Sequence, residues 1–410
     1  MVPAEQSRQT IRELAYRVAE AAQGRENLQR ERLWRDSNNL SKPERLPVFC
    51  DFYDTWPEVL PRSVVVTEDP LHADVEYRLR QILCKCDLGD DDVVEPWFEI
   101  EAITNLGKER GVYLWGLPVG QIHSKERGWL YDNPPLHGEK DLERIVLPSL
   151  QFDEKATKER ESEVDDLIGD ILPIKITLGR ADRQWAKFHS WAAALCGLEN
   201  LYIYMMEKPE FVHGLMRTMT EGIMGLMDEC EQRNILSLNN YGRYACAGLP
   251  QADFDGNHIR FKDIWGRGES QELDCVSPSM YQEFLFQYQL PVLKRFGITN
   301  YGCCEDLTHK IEIVKTIPNL RLFICSAWTD LQKVVSVLAD DYAIEWRQKS
   351  SDIIYAEDLK KARHDLERGL QVAKGCHIQV VLDSIMTLGG HPNRLKEWVN
   401  LAKELGAKYV

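Results

Sequence analysis

Apolar positions in this chain follow two rhythms that take turns. Short β-branched and aromatic runs at 45–53, 92–100, 171–179, 235–240, 298–303, 320–326, 342–347 and 378–384 read as eight strands. Between them lie segments with a helical period. The clearest spans 209–230, with Val212, Leu215, Met216, Met219, Ile223 and Leu226 on one face. Ser277 before Pro278 is a natural N-cap, and 358–373 and 393–405 supply the last two helices. Strand and helix in strict alternation predict an α/β protein with a parallel sheet covered by helices. Eight repeats favour a closed (β/α)8 TIM barrel over an open sheet.

Two features sit outside that alternation. Residues 4–35 read as helices whose face of Ile11, Leu14, Ala15 and Val18 needs cover, from the barrel or from a second copy in a homodimer. A turn-rich joint at 36–43 separates them from the first strand, giving an N-terminal helical extension at 1–40 and a barrel at 41–410. Stretches 107–150 and 241–272 lack a helical period and read as insertions, the first as an antiparallel excursion.

Composition narrows the class. With 44% apolar and 28% charged residues, the 410-residue chain has material for a large core. A net charge of −15 argues against nucleic acid, which demands a basic face. No apolar run approaches the ~20 residues of a membrane span, and the start lacks an apolar signal segment, so a cytoplasmic location is expected. Eleven cysteines scattered through core-like segments do not make a disulfide framework.

The chemistry concentrates at Asn300-Tyr-Gly-Cys-Cys-Glu-Asp-Leu307, directly after a strand. Enzymes of this class place reactive groups where a strand gives way to a loop. Cys303 and Cys304 are soft ligands or nucleophiles, with His391 of the Gly389-Gly-His-Pro loop as a further metal ligand or acid. Glu305, Asp306, Asp51 and Arg347 are the catalytic candidates, moving protons or steadying charge. Tyr53, Trp56, Asn239, Asn240, Trp328 and Asp383 are candidates for holding a substrate, with Trp265 and Trp346 as further aromatic walls. Plainer roles stand beside these. Cys303 can be a small buried hydrophobe, Glu305 and Asp306 can cap the next helix, and strand-end Asn and Asp can satisfy turns. Arg347 can be the partner of Glu345 or Asp383, and His391 can open the last helix.

The order of Pro209-Glu-Phe-Val-His-Gly-Leu-Met, Leu273-Asp-Cys-Val-Ser-Pro-Ser-Met-Tyr and Tyr301-Gly-Cys-Cys-Glu-Asp-Leu resembles the uroporphyrinogen decarboxylase (URO-D) superfamily over roughly residues 40–405. The resemblance implies a (β/α)8 barrel with its site at the carboxyl ends of the strands, acting on a small molecule. It includes porphyrinogen decarboxylases and methyltransferases that serve corrinoid proteins. Asp51-Phe-Tyr-Asp-Thr-Trp-Pro stands where the porphyrin branch has a basic loop, which turns the reading toward methyl transfer. The implied activity is transfer of a methyl group from a small aromatic or methoxylated substrate to a corrinoid carried by a partner protein, an O-demethylase component. A non-porphyrin decarboxylase or other lyase is the alternative. The methyltransferase branch also implies zinc, held by a His-x-Cys pattern and a later Cys. Here Cys304 matches the first Cys, but Gly302 replaces the His and Asp383-Ser384 stand where the later Cys belongs.

Overall fold

The structure is a computed structural model that describes residues 4–106, 115–123, 129–179 and 184–409. Parts of the first expected insertion, 107–114 and 124–128, lie outside the described residues. The strands are β1 (Val48–Cys50), β2 (Phe98–Glu101), β3 (Gly120–His123), β4 (Trp129–Asp132), β5 (Ile174–Thr177), β6 (Trp265–Gly268), β7 (Ile298–Tyr301), β8 (Leu320–Cys325), β9 (Ala343–Gln348) and β10 (His377–Leu382). Six of them form one parallel sheet in the order β1-β10-β9-β8-β7-β6, and β2 pairs with β5 in a separate parallel pair. The hairpin β3–β4 is the antiparallel excursion. The protein is thus a mixed α/β fold around a six-stranded parallel sheet. Among the described residues no ladder joins that sheet to the β2–β5 pair.

Side chains take over where the ladders stop. At the β1 edge, Asp91 and Asp90 accept from the Val48 and Cys50 amides, each at 2.9 Å. At the β6 edge, the Asn239 amide accepts from Trp265 N–H at 2.8 Å and donates to Trp265 C=O at 3.0 Å. The segment 235–240, expected as the fourth strand, therefore runs beside β6 without a ladder. The fourth long parallel element is β6, inside the stretch expected to be an insertion. Its Trp-Gly-Arg-Gly sequence looks unlike a strand because two aromatic rings press on it. A Cβ on Gly266 would lie 2.3 Å from the Phe296 ring, and one on Gly268 2.5 Å from the Tyr301 ring.

Period-two alternation decides which side chains face inward. Trp346 of β9 packs outward on Gly369 of the helix Lys360–Val372, so Glu345 and Arg347 face the other way. Tyr301 reaches outward to Tyr281 through a 2.7 Å hydroxyl contact, leaving Asn300 inside. The N-terminal half of the inner face is closed by the helix Arg25–Asn38, whose Ser37 and Asn38 accept from the inward Gln379 at 3.1 and 2.9 Å. The face of Ile11, Leu14, Ala15 and Val18, on the helix Ala4–Gln23, is buried against Val75, Leu79, Phe98, Ile100 and Ile168 of the same chain. That face is consequently not open to a second copy. No helix among the described residues is long and apolar enough to cross a membrane.

Candidate functional site

The inner face carries charge where most cores carry leucine. Arg267 of β6, Asn300 of β7, and Glu345 and Arg347 of β9 line it, and Arg243 reaches in from the loop after 240, its guanidinium 4.7 Å above the Phe49 ring. Arg347 donates Nε–H to Glu345 at 2.8 Å and pairs through Nη1 with Asp383 at 2.6 Å. Burial opposes ionisation of Glu345, yet Arg243 and Arg347 hold it down at about 2. Glu269, just past β6, is likewise held at about 2 against burial, by Arg267, His189 and Lys187. Burial pulls the His189 imidazole down, but Glu272, bonded to its Nδ1, and Glu269 hold it above its ordinary value. Ser190 secures the other Glu272 oxygen at 2.6 Å.

The two thiols lie at the rim of this charged column, after β7. Their sulfurs are 3.7 Å apart, and Cys304 Sγ is 3.6 Å from the Ser384 hydroxyl past β10. The Cys303 thiol donates to Cys304, and this bond, the Ser384 hydroxyl and Arg347 outweigh burial and bring Cys304 down to about 6. Cys303 moves the other way. Its bond to Cys304, burial and the Glu269 carboxylate all keep its proton on. The two half-buried thiols are thus pushed in opposite directions, Cys304 toward the thiolate and Cys303 toward the thiol. Because Cys50 pairs with Leu382, Asp51 leaves β1 opposite Asp383, so the rim joins Asp51, Asp383, Ser384 and the thiols.

Other expected site residues have different duties. Glu305 is buried, and its carboxylate accepts from Ser270 N–H at 2.7 Å and Cys303 N–H at 2.9 Å, bracing the β6 and β7 loops. A carboxylate so committed positions the thiols. Asp306 accepts from Thr308 N–H at 2.8 Å and faces a separate surface pocket with Asp274, His309 and Lys310. Asn239 is spent on Trp265, and Asn240 donates to Leu249 C=O at 2.7 Å, so both amides brace the chain. Trp265 is fully buried, and Trp56 packs edge-on to Phe52 at 4.7 Å. Tyr53, 40% exposed, and Trp328, 61% exposed with the Lys349 ammonium 4.9 Å above its ring, remain open aromatic surfaces. Asp51 accepts from Tyr53 N–H at 3.0 Å.

Zinc asks for three or four converging ligands. A 3.7 Å sulfur pair suits two corners of a tetrahedron, but His391 is on an exposed loop. Among the described residues, the one group of three ligating atoms within 4.8 Å of each other is Asp69, His72 and Glu163, which does not include the thiols. The residues at the thiol pair do not fit a zinc site. Sequence reading also missed Arg243, Arg267, Glu269, His189 and Glu272. The signal was the alternation of Arg267 and Glu269 with Gly266 and Gly268, read there as loop.

No protein family and no curated protein matches the sequence. A methyltransferase from Methanosarcina mazei is among the solved structures similar to it, with a TM-score of 0.54 over 92% of this chain and 98% of that one. The identity is 11%, so the likeness is one of fold.

Proposed function

We propose that the chain is a methyltransferase of the URO-D kind, on a barrel closed across its two seams by side chains. It moves a methyl group from a small aromatic, methoxylated substrate to a corrinoid on a partner protein. One observation carries this reading: a pair of thiols with sulfurs 3.7 Å apart stands at the strand ends of a fold shared with a methyltransferase, close to a buried arginine that favours the Cys304 thiolate. Residues 41–410 would form the barrel, with the stretches around 107–150 and 241–272 shaping access to it.

Cleaving a methyl ether needs a nucleophile for the methyl carbon and a donor for the departing oxygen. In the reaction proposed, the Cys304 sulfur attacks the methyl carbon. The C–O bond breaks, its electron pair stays on oxygen, and the phenolate takes a proton from solvent. A corrinoid in its reduced state on the partner protein would be the methyl acceptor, and Cys304 would then leave as the thiolate, keeping the C–S electron pair. The lowered pKa gives more thiolate at pH 7 than a free cysteine has, a gain that the lower nucleophilicity of a less basic sulfur largely offsets in the first step. The larger benefit is in the second step, where a weakly basic thiolate departs more readily. Arg347 faces the charge that appears on both occasions, and Trp328 and Tyr53 offer flat surfaces to an aromatic ring.

The test is to mix the protein with a methoxylated aromatic and a corrinoid protein in its reduced state, following methyl–cobalt absorbance. Product that forms with the parent chain and is lost in Cys304→Ser supports the reading. Carbon dioxide release from a carboxylated aromatic without any corrinoid would favour the lyase alternative, with Arg347 and Arg267 as the cations that orient the carboxylate.

A further inference from the structure

The two rim thiols belong to adjacent residues, and this matters apart from methyl transfer. Among the described residues no other pair of cysteines is in hydrogen-bond contact through sulfur. Cys84 and Cys86 are two apart on one helix, where side chains diverge. Cys303 has its backbone N–H fixed by Glu305 and its sulfur 3.7 Å from that of Cys304, and both remain partly open to solvent. A disulfide needs about 2.05 Å, a gap closed by side-chain rotation together with distortion of the peptide between the two residues.

We propose that Cys303 and Cys304 form an oxidisable dithiol, which a peroxide closes to a disulfide between neighbouring residues and a thiol reductant reopens. The electron balance is complete with peroxide as the oxidant. The Cys304 sulfur, its proton already lost to solvent, attacks one peroxide oxygen, forming S–O and breaking O–O, and the departing hydroxide takes a proton back from solvent to become water. The Cys303 sulfur then attacks the Cys304 sulfur, forming S–S and breaking S–O. A second hydroxide leaves and takes the Cys303 proton. Two electrons pass from the thiols to the peroxide, and two waters form.

The site is arranged for both halves. Arg347 and the Ser384 hydroxyl favour the attacking thiolate. The proton on Cys303 is held chiefly by its bond to that thiolate, so consuming the thiolate loosens it. Reversal follows from ring size. Adjacent Cα atoms stand about 3.8 Å apart, below the usual span of about 4.4–6.8 Å for a disulfide. The resulting bond is strained, and strained disulfides are the readily reduced ones. If the proposed methyl transfer holds, closing the bond removes its nucleophile and makes the enzyme sensitive to peroxide.

The full-length chain is treated with hydrogen peroxide, alkylated with N-ethylmaleimide after denaturation, digested and weighed by mass spectrometry. The peptide carrying both residues should be two hydrogen atoms lighter and unalkylated, and dithiothreitol should restore two alkylation sites. The peptide of exposed Cys275 serves as the control and should stay alkylated at the same peroxide concentration. Cys303→Ser should stop at a sulfenic acid on Cys304 that dimedone traps. Two alkylatable thiols after Cys275 has oxidised would overturn the proposal, as would a sulfinic acid on Cys304 beside a free Cys303. Methyl–cobalt formation is followed on the same samples. Loss of two hydrogens in a chain without that activity would retain the dithiol and reject the methyltransferase reading. Activity unaffected by peroxide with both thiols alkylatable would do the reverse.

Discussion

Replacing Asn239 by Ala should unfold the protein more easily while leaving the thiol chemistry intact. The Asn239 side chain has no exposure, and its two contacts, at 2.8 and 3.0 Å, are with both backbone groups of Trp265. Alanine strands that N–H and that C=O where water does not reach. Each orphaned group costs about 1–3 kcal/mol, so a loss of about 2–6 kcal/mol is expected. Asn239→Asp is the sharper variant. It keeps the acceptor for Trp265 N–H but turns an oxygen toward Trp265 C=O, and should lose about 1–3 kcal/mol. Urea unfolding followed by tryptophan fluorescence and circular dichroism measures both. A change below about 0.5 kcal/mol for Asn239→Ala, or weaker substrate binding at unchanged stability, would refute the edge-sealing role and restore Asn239 to the substrate site.

Three further outcomes follow from the same contacts. Arg347→Gln leaves Glu345 and Asp383 without their shared cation; the loss should be about 3–5 kcal/mol, and Cys304 should titrate at higher pH. Gly268→Ala forces a methyl group into the Tyr301 ring at 2.5 Å and should cost about 1–3 kcal/mol in a denaturant melt. Burial lifts Glu95 to about 7, although Gly242 N–H, at 2.7 Å, partly opposes this. Its unfolded value is about 4.3, so the folded state keeps the proton longer and stability declines as pH rises between those values. Glu95→Gln should therefore gain on the parent at pH 8 and not at pH 4, read as the shift in urea midpoint at each pH.

Much of the fold could be read from alternation alone, because outward strand positions and helix faces are apolar for one reason, contact with each other. The strands β1, β5, β7 and β8 fall inside the expected segments for that reason, and β2, β9 and β10 overrun theirs by one residue. Residues 235–240 and β6 exchanged roles because the apolar criterion follows burial, not ladder bonds. Ile235 to Leu238 looks like a strand yet bonds through a side chain, while Gly266 and Gly268 trade side chains for aromatic rings packed across them. The thiol pair and Arg347 could be found, since reactive residue types after a strand are visible in sequence. The duties of Glu305, Asn239 and Asn240 could not, because a carboxylate or amide spelled in a sequence does not show which backbone groups it must satisfy. Arg243 and Arg267 were hidden for a similar reason, arriving from a stretch whose glycines suggested a loop.

The account turns on the ionisation of one sulfur. The groups facing it are Cys303, Ser384 and Arg347, which favour its thiolate, and Asp383, which opposes it. Alkylation of Cys304 by iodoacetamide, quantified by peptide mass spectrometry from pH 4.5 to 9.5, measures that ionisation directly. The account predicts a rate that rises with a midpoint near 6 and moves upward in Arg347→Gln. A midpoint at about 8.5, that of an ordinary cysteine, would contradict it.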